Sequence, residues 1–151
     1  MKTKANKIYK VFSRQSCERF CTQNHNKTSI IISIKSTWDK QLPQVFCNEK
    51  NNVKAILSLT FDDIEKEDEP FVKGKEFCMT LDDGKKIAKF INTWYDKVDM
   101  IIVHCDGGIS RSAGVAAGIM RSKEGFDWPI FKNKIPNITC YLRTLKAFKY
   151  I

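Results

Sequence analysis

The chain lacks any apolar run that approaches the roughly 18 residues required by a membrane-spanning helix. It also lacks an N-terminal apolar segment followed by a small-residue cleavage site, so we do not expect secretion. No internal repeat, low-complexity tract or long Gly/Ser linker divides its 151 residues. We therefore expect one soluble, cytoplasmic domain over residues 1–151 that makes no contact with membranes.

Patterns that bind metals or cofactors are also missing. The six cysteines lie at positions 17, 21, 47, 78, 105 and 140. Cys17 and Cys21 are not spaced as a Cys-x-x-Cys pair and have no second pair of ligands, which argues against structural zinc. In a reducing cytosol all six are expected to be free thiols. We expect neither a metal ion nor an organic cofactor.

The charge of the chain is strongly basic but dispersed. Its 26 Lys and Arg residues against 17 Asp and Glu residues give a formal net charge of +9. No block of five like charges occurs, and there is no zinc-finger spacing, aromatic RNA-binding signature or arginine-rich arm. The balance favours an anionic substrate and argues against nucleic acid as the partner.

Short runs of Ile, Val and Leu are typical of strands in a sheet that is covered on both faces. Three such runs occur, at Ser29–Ile34, Ala55–Leu59 and Met100–Val103. Helical apolar spacing from Asp83 to Lys97 separates the second run from the third, and Thr80 with Asp83 forms a capping-box pattern. A strand, a crossover helix and a strand predict parallel pairing. The expected fold is α/β, with a central, mostly parallel sheet flanked by helices.

The remaining segments predict three helices and a loop. A short helix is expected around Ser13 to Cys21, and Trp38 to Asn52 is expected to be loop. After residue 112, small residues including Gly114 and Gly118 predict a helix that packs closely against the sheet. A last helix begins after Pro136, and its apolar stripe predicts a face buried in the core. The stripe consists of Ile138, Tyr141, Leu142, Leu145 and Phe148.

One segment, here called the Cys105 loop, directly follows the third predicted strand. It reads His104-Cys105-Asp106-Gly107-Gly108-Ile109-Ser110-Arg111-Ser112. A glycine-containing turn between a strand and a helix can point successive backbone N–H groups inward, and the helix adds the positive end of its dipole. The planar fork of Arg111 can hold two phosphate oxygens. The Cys105 loop therefore predicts a phosphate-sized anion site with a thiol at its base.

Cys105 is a candidate nucleophile, because a thiol at a helix N-terminus near cationic groups ionises more readily than a free thiol. Attack of the thiolate on phosphorus gives a phosphocysteine, while Arg111 and the loop amides stabilise the phosphoryl oxygens. The pattern predicts phosphoryl transfer to cysteine. The alternative, a buried structural cysteine beside a turn, leaves both glycines, Arg111 and Ser112 unexplained.

The reaction also needs a carboxylic acid that protonates the leaving oxygen and later, as a carboxylate, activates water. The second predicted strand leads into Asp62 and Asp63. If this strand is parallel to the strand before Cys105, both carboxylates reach the same edge of the sheet. Either one is then a candidate for the acid.

The segment from His104 to Ser112 resembles the signature of the cysteine-dependent protein tyrosine phosphatases, in which His-Cys is followed by five residues, Arg and Ser or Thr. The chain is most similar to the compact dual-specificity group. The resemblance places the acid at Asp63, with Asp62 as the alternative, and makes the stretch Glu65 to Phe77 an insertion. It also implies that Cys105 is the nucleophile, that Ser112 hydrogen-bonds the sulfur and that His104 orients the loop. The phosphate ligands would be Asp106, Gly107, Gly108, Ile109, Ser110 and Arg111. The first five of these would act mainly through their backbone amides.

The function that the resemblance implies is a metal-independent phosphomonoester hydrolase, a tyrosine or dual-specificity protein phosphatase acting through a phosphocysteine. Its partner would be a phosphorylated protein or peptide, and phosphate or sulfate would bind in the Cys105 loop. The tyrosine-rich segment that deepens the pocket of larger tyrosine phosphatases is missing, so a shallower site that accepts phosphoserine and phosphothreonine is expected. The alternative is a phosphate- or RNA-binding module with weak catalysis, or an RNA 5′-phosphatase, using the same loop.

Overall fold

The computed structural model describes residues 7–65 and 77–149. Residues 66–76 of the predicted insertion thus lie outside the described ranges. In chain order the elements are β1 (Ile8–Ser13), α1 (Arg14–Cys21), β2 (Ser29–Lys35), β3 (Val53–Thr60), α2 (Leu81–Trp94), a short 3₁₀ turn (Tyr95–Lys97), β4 (Met100–Cys105), α3 (Arg111–Glu124), α4 (Trp128–Asn133) and α5 (Ile138–Phe148).

The four strands form one parallel sheet in the order β1-β4-β2-β3. β4 is an inner strand, and its Val103 is paired with Val11 of β1 on one side and with Ile32 of β2 on the other. Because all strands run in the same direction, the loops that follow β2, β3 and β4 meet at one edge of the sheet. The predicted α/β fold with a mostly parallel central sheet is confirmed.

Both faces of the sheet are covered by helices. On one face the alternate side chains of β2 and β4 pack in a core with α2, α3 and α5, and Ile32 and Val103 belong to this core. On the other face Ile31 and Ile102 pack with Cys17 of α1. Burial on both faces explains why the predicted strands are continuous apolar runs without alternation.

All three predicted strands are confirmed, as are the short helix after Ser13, the crossover helix and the loop from Trp38 to Asn52. The Thr80–Asp83 capping box forms as predicted, since each side chain bonds the backbone N–H of the other residue. The additional strand β1 has no counterpart among the predicted elements. It lies at the edge of the sheet, where a half-buried strand containing Lys10 gives a weaker apolar signal.

The predicted packing of α3 against the sheet is confirmed, since α3 contacts β1 and β4. Its two glycines, however, face α5. A Cβ atom at Gly114 would lie 2.4 Å from the carbonyl oxygen of Asn137, and one at Gly118 would lie 2.6 Å from Cβ of Thr144. On α2, a Cβ at Gly84 would lie 2.7 Å from the carbonyl oxygen of Arg143. Glycine at these three positions therefore allows α5 to approach α2 and α3 closely.

The prediction that the apolar stripe of α5 forms a core face holds only in part. Tyr141 and Phe148 are partly buried and pack against the core, whereas Ile138 and Leu142 are exposed. The buried residues of α5 are small or polar: Thr139, Cys140, Thr144 and Ala147. The close contact with the glycine positions admits only short side chains, so the large apolar ones turn outward. None of the helices in the described ranges is long and apolar enough to cross a membrane.

Candidate active site

Cys105 is the last residue of β4, and its thiol is enclosed by the Cys105 loop. The backbone N–H of Gly108 donates to Sγ of Cys105 at 3.3 Å, and the hydroxyl of Ser112 lies 3.1 Å from the same sulfur. The sulfur also lies just before the N-terminal end of α3. These donors are arranged to stabilise negative charge on the sulfur.

Gly108 is required by the shape of the loop. Its φ angle of 71° lies in the left-handed region, which side chains other than glycine rarely adopt. A Cβ atom here would also lie 2.5 Å from the backbone nitrogen of Ser13 and 2.6 Å from the carbonyl carbon of Phe12. The junction of β1 and α1 thus packs directly on the loop, and Arg14 donates its backbone N–H to the carbonyl oxygen of Asp106 at 3.1 Å.

Arg111 begins α3 with a buried guanidinium, only 5% exposed. Its Nη1 donates to Oγ of Ser36 and to the carbonyl oxygen of Phe61, both at 2.9 Å. Its Nη2 forms an ion pair with the carboxylate of Asp106 at 3.2 Å. The buried Nε has no hydrogen-bond partner among the described residues. A buried cationic N–H is costly without an acceptor, so Nε is available to donate to an anion held by the loop.

His104 is fully buried beneath the loop with both ring nitrogens placed near polar atoms. Its Nε2 lies 2.6 Å from Oγ of Ser33, and its Nδ1 lies 3.3 Å from the carbonyl oxygen of Cys105. Because a carbonyl only accepts, Nδ1 carries the hydrogen and Nε2 accepts from the Ser33 hydroxyl. Burial lowers the pKa of His104 below its ordinary value of 6.5. The imidazole is therefore neutral at physiological pH.

Asp62 and Asp63 follow β3 but have different surroundings. Asp62 is only 3% exposed, and its carboxylate accepts from the backbone N–H of Thr37, the hydroxyl of Thr37 and the backbone N–H of Phe77 at 2.7 to 2.9 Å. It joins the loops after β2 and β3. Asp63 is exposed, and its Oδ1 accepts from the hydroxyl of Ser110 in the Cys105 loop at 2.7 Å. Of the two carboxylates, Asp63 is the one in contact with the loop.

Two residues of the site were not predicted from the sequence. Ser36, after β2, accepts from Arg111 and donates to Asp106 at 3.1 Å, so it connects the cation to the loop. Asn137, the N-cap of α5, donates from Nδ2 to Asp63 at 3.1 Å and from its backbone N–H to the carbonyl oxygen of Ser110 at 2.9 Å. The position of Asn137 directly after Pro136 is a helix-start signal that could have marked it as a cap.

The site thus combines a thiol among donors, a buried guanidinium with one unpaired N–H and an exposed carboxylate at the rim. These groups can bind a tetrahedral anion, attack it and exchange a proton with it. Within residues 7–65 and 77–149, no group of three or more His, Cys, Asp or Glu side chains is arranged to hold a metal ion. Ile109, at the tip of the loop, is half exposed.

No family model and no curated protein matches the sequence. Among solved structures, human DUSP28 is 15% identical and has a TM-score of 0.59, with 94% of this chain and 92% of DUSP28 covered. The human tyrosine phosphatase-like serine/threonine/tyrosine-interacting protein is 16% identical, with a TM-score of 0.55 and coverage of 82% and 78%. PTPMT1 in complex with PI(5)P is 14% identical, with a TM-score of 0.55 and coverage of 95% and 91%.

At this level of identity the similarity establishes the fold. The chain shares the α/β fold of DUSP28, of PTPMT1 and of the human tyrosine phosphatase-like protein. The three proteins are diverse, since one is a phosphatase-like interacting protein and another was crystallised with a phosphoinositide. The chemistry of this chain must therefore be argued from its own residues.

Proposed function

We propose that this chain is a metal-independent phosphomonoester hydrolase that works through a phosphocysteine intermediate. The observation that carries the proposal is the buried Arg111, whose Nε has no partner among the described residues and which adjoins the loop that holds Sγ of Cys105. A phosphate group would supply the missing acceptor. A purely structural role for these positions would require neither a buried arginine nor a thiol that accepts from a loop N–H.

In the first step the thiolate of Cys105 attacks phosphorus and the bond between phosphorus and the leaving oxygen breaks. Protonated Asp63 gives its proton to that oxygen, so the leaving group departs as an alcohol or phenol. Arg111 and the amides of the Cys105 loop donate to the non-bridging oxygens as charge shifts between them. Asp63 is suited to this role because it is exposed and bonded to Ser110 of the loop, whereas the carboxylate of Asp62 is occupied elsewhere.

In the second step Asp63, now a carboxylate, takes a proton from water as the water oxygen attacks phosphorus. The bond between sulfur and phosphorus breaks, inorganic phosphate leaves and Cys105 returns to the thiolate. The hydroxyl of Ser112 and the N–H of Gly108, both near the sulfur, stabilise the departing thiolate. Neutral His104 supports the loop from below through Ser33 and the carbonyl of Cys105.

We propose phosphorylated protein or peptide as the substrate class, with phosphotyrosine, phosphothreonine and phosphoserine all accepted. The Cys105 loop supports this choice over a polyphosphorylated headgroup, because it contains Asp106 and no lysine. PTPMT1, crystallised with PI(5)P, shows that a related fold can bind a phosphoinositide. Matched phosphotyrosine and phosphothreonine peptides compared with a soluble phosphoinositide test the assignment, and preferential turnover of the phosphoinositide would overturn it.

A binding module without turnover is the second candidate, and the phosphatase-like interacting protein among the similar structures favours considering it. Hydrolysis of p-nitrophenyl phosphate in EDTA separates the two. Wild-type protein should hydrolyse the ester and be inhibited competitively by phosphate or sulfate, and Cys105→Ser should reduce kcat by at least about 10³-fold because an alcohol replaces the thiolate. Absence of wild-type turnover under full reduction, with phosphate binding retained, would instead support the binding module.

A further inference from the structure

Helices α4 and α5 and the turn between them leave five large apolar side chains exposed. We call these residues the α4–α5 apolar face: Trp128, Phe131, Ile135, Ile138 and Leu142. Three of them have more than half of their surface exposed, at 63% for Trp128, 77% for Ile135 and 55% for Leu142. Single exposed apolar residues are ordinary, but a contiguous set on neighbouring helices marks an interaction surface.

The packing of α5 fixes this orientation. Its inner side meets Gly84 of α2 and Gly114 and Gly118 of α3, where only short side chains fit. Rotation of α5 to bury Leu142 would push that side chain into a space too small for a β-carbon. Ile138 and Leu142 are thus held outward by the close approach of three helices.

The segment that carries the α4–α5 apolar face is strongly basic. Residues 127–149 contain five basic residues, Lys132, Lys134, Arg143, Lys146 and Lys149, and a single acidic residue, Asp127. The carboxylate of Asp127 accepts from the hydroxyl of Tyr141 and keeps its charge. Outside this segment, the carboxylate of Glu65 lies against the backbone of Ile138. A depression of about 590 Å³ beside the face is lined by Leu142, Leu145, Lys146 and Lys149, which combines aliphatic carbon with two ammonium groups.

Helices α4 and α5 touch at this face. The ring of Phe131 packs edge-on against Tyr141 with a centroid distance of 5.2 Å, which joins the two helices at this point. A bilayer surface binds protruding apolar and aromatic side chains that have lysines around them. The exposed apolar side chains and the ammonium groups of Lys146 and Lys149 beside Leu142 match that requirement.

We infer that the α4–α5 apolar face docks on an anionic lipid surface, with the apolar side chains inserted at the headgroup boundary and the lysines facing the acidic lipids. The face borders the candidate active site, because Asn137 bonds Asp63 and Ile138 donates its backbone N–H to Glu65. Docking would hold the Cys105 loop close to the membrane. The expectation of no membrane contact rested on the lack of a spanning segment, and surface docking does not need one.

Co-sedimentation of the full chain with vesicles tests the inference without reference to catalysis. Phosphatidylcholine vesicles that contain phosphatidylserine should bind the wild type, binding should weaken with added salt, and pure phosphatidylcholine should bind it much less. Leu142→Ser should reduce the affinity by about tenfold. The matched control is Leu42→Ser, since Leu42 is 64% exposed and lines a depression with Val45 and Ile56, which belong to the opposite face of the sheet.

The charge contribution is tested with Lys146→Glu/Lys149→Glu against the control Lys50→Glu/Lys54→Glu, which changes the net charge equally. Only the double variant Lys146→Glu/Lys149→Glu should lose the preference for vesicles that contain phosphatidylserine. Equal losses for both pairs, or equal binding by the wild type and Leu142→Ser, would overturn the inference. Concentration-dependent dimerisation that Leu142→Ser removes, without vesicle binding by the wild type, would show that a second copy covers the face instead. Cys105→Ser should bind vesicles normally, so failure of the proposed hydrolase activity would be seen separately.

Discussion

The Cys105 loop and the interface between α3 and α5 are held together differently. In the loop, Arg111 is joined to Ser36 and Asp106 by directed hydrogen bonds. In the interface, Gly114 and Gly118 let α5 approach until a single added carbon would collide. The structure of the loop depends on hydrogen-bond donors and acceptors, whereas the interface depends on the lack of side chains at Gly114 and Gly118. Substitutions in the loop should therefore reduce activity, and substitutions in the interface should reduce stability.

Arg111→Lys should have the largest effect on activity. Lysine keeps the charge but cannot donate to two phosphate oxygens while also bonding Ser36 and Phe61, as the guanidinium fork can. We expect kcat to fall by about 10³-fold, because a transition-state donor is lost. Steady-state kinetics with an aryl phosphate measures the effect.

Arg143→Lys is the control, since Nε of Arg143 is likewise buried without a partner among the described residues but lies on α5 outside the site. It should leave kcat within about twofold, as expected for a substitution without contact to the transition state. Comparable losses in both variants would show that the guanidinium of Arg111 has only a structural role.

The two neighbouring carboxylates distinguish activity from stability most directly. Asp63→Asn should lower kcat by about 10²-fold and remove the acidic group from the pH profile, because an amide cannot exchange the proton. Asp62→Asn should instead lower the free energy of unfolding by about 1–3 kcal/mol, since Thr37 and Phe77 lose a charged acceptor. Kinetics and urea unfolding on both variants measure this. The reverse pattern would assign the acid to Asp62.

Gly114→Ala tests the interface. The new Cβ would lie 2.4 Å from a backbone oxygen and 2.8 Å from Cβ of Cys140, and backbone cannot move aside as a flexible side chain can. We expect a net loss of about 1–3 kcal/mol in stability despite the better helix propensity of alanine. Gly107→Ala is the control, because a Cβ there meets nothing within 4 Å. Urea unfolding should separate the two variants; equal stabilities would show that α5 shifts away at little cost.

The sequence allowed three of the four strands to be predicted because local apolar runs mark strands that are buried on both faces. The Cys105 loop could be predicted because nearly all its chemistry lies in nine consecutive residues. Ser36 and Asn137 could not, since their role depends on loops that are distant in sequence but meet at one edge of the sheet. The orientation of α5 could not be predicted from its own periodicity, because glycines on two other helices decide which side of it is buried.

Substitution of His104 should give the smallest effect on stability. The dependence of that effect on pH should distinguish the Cys105 loop from the interface between α3 and α5. Burial lowers its pKa in the folded protein below 6.5, so below that pH the unfolded chain binds a proton that the folded chain does not. The free energy of unfolding should then fall as the pH falls below 6.5, by at most about 1.4 kcal/mol per pH unit from this group. His104→Gln keeps a donor and an acceptor near Ser33 but cannot take up the proton. In urea unfolding, the stability deficit of this variant relative to the wild type should therefore shrink as the pH falls from 7.5 to 5.5. The deficit of Gly114→Ala should stay constant over the same range. A constant deficit for both variants would mean that His104 is not the group whose protonation changes the stability.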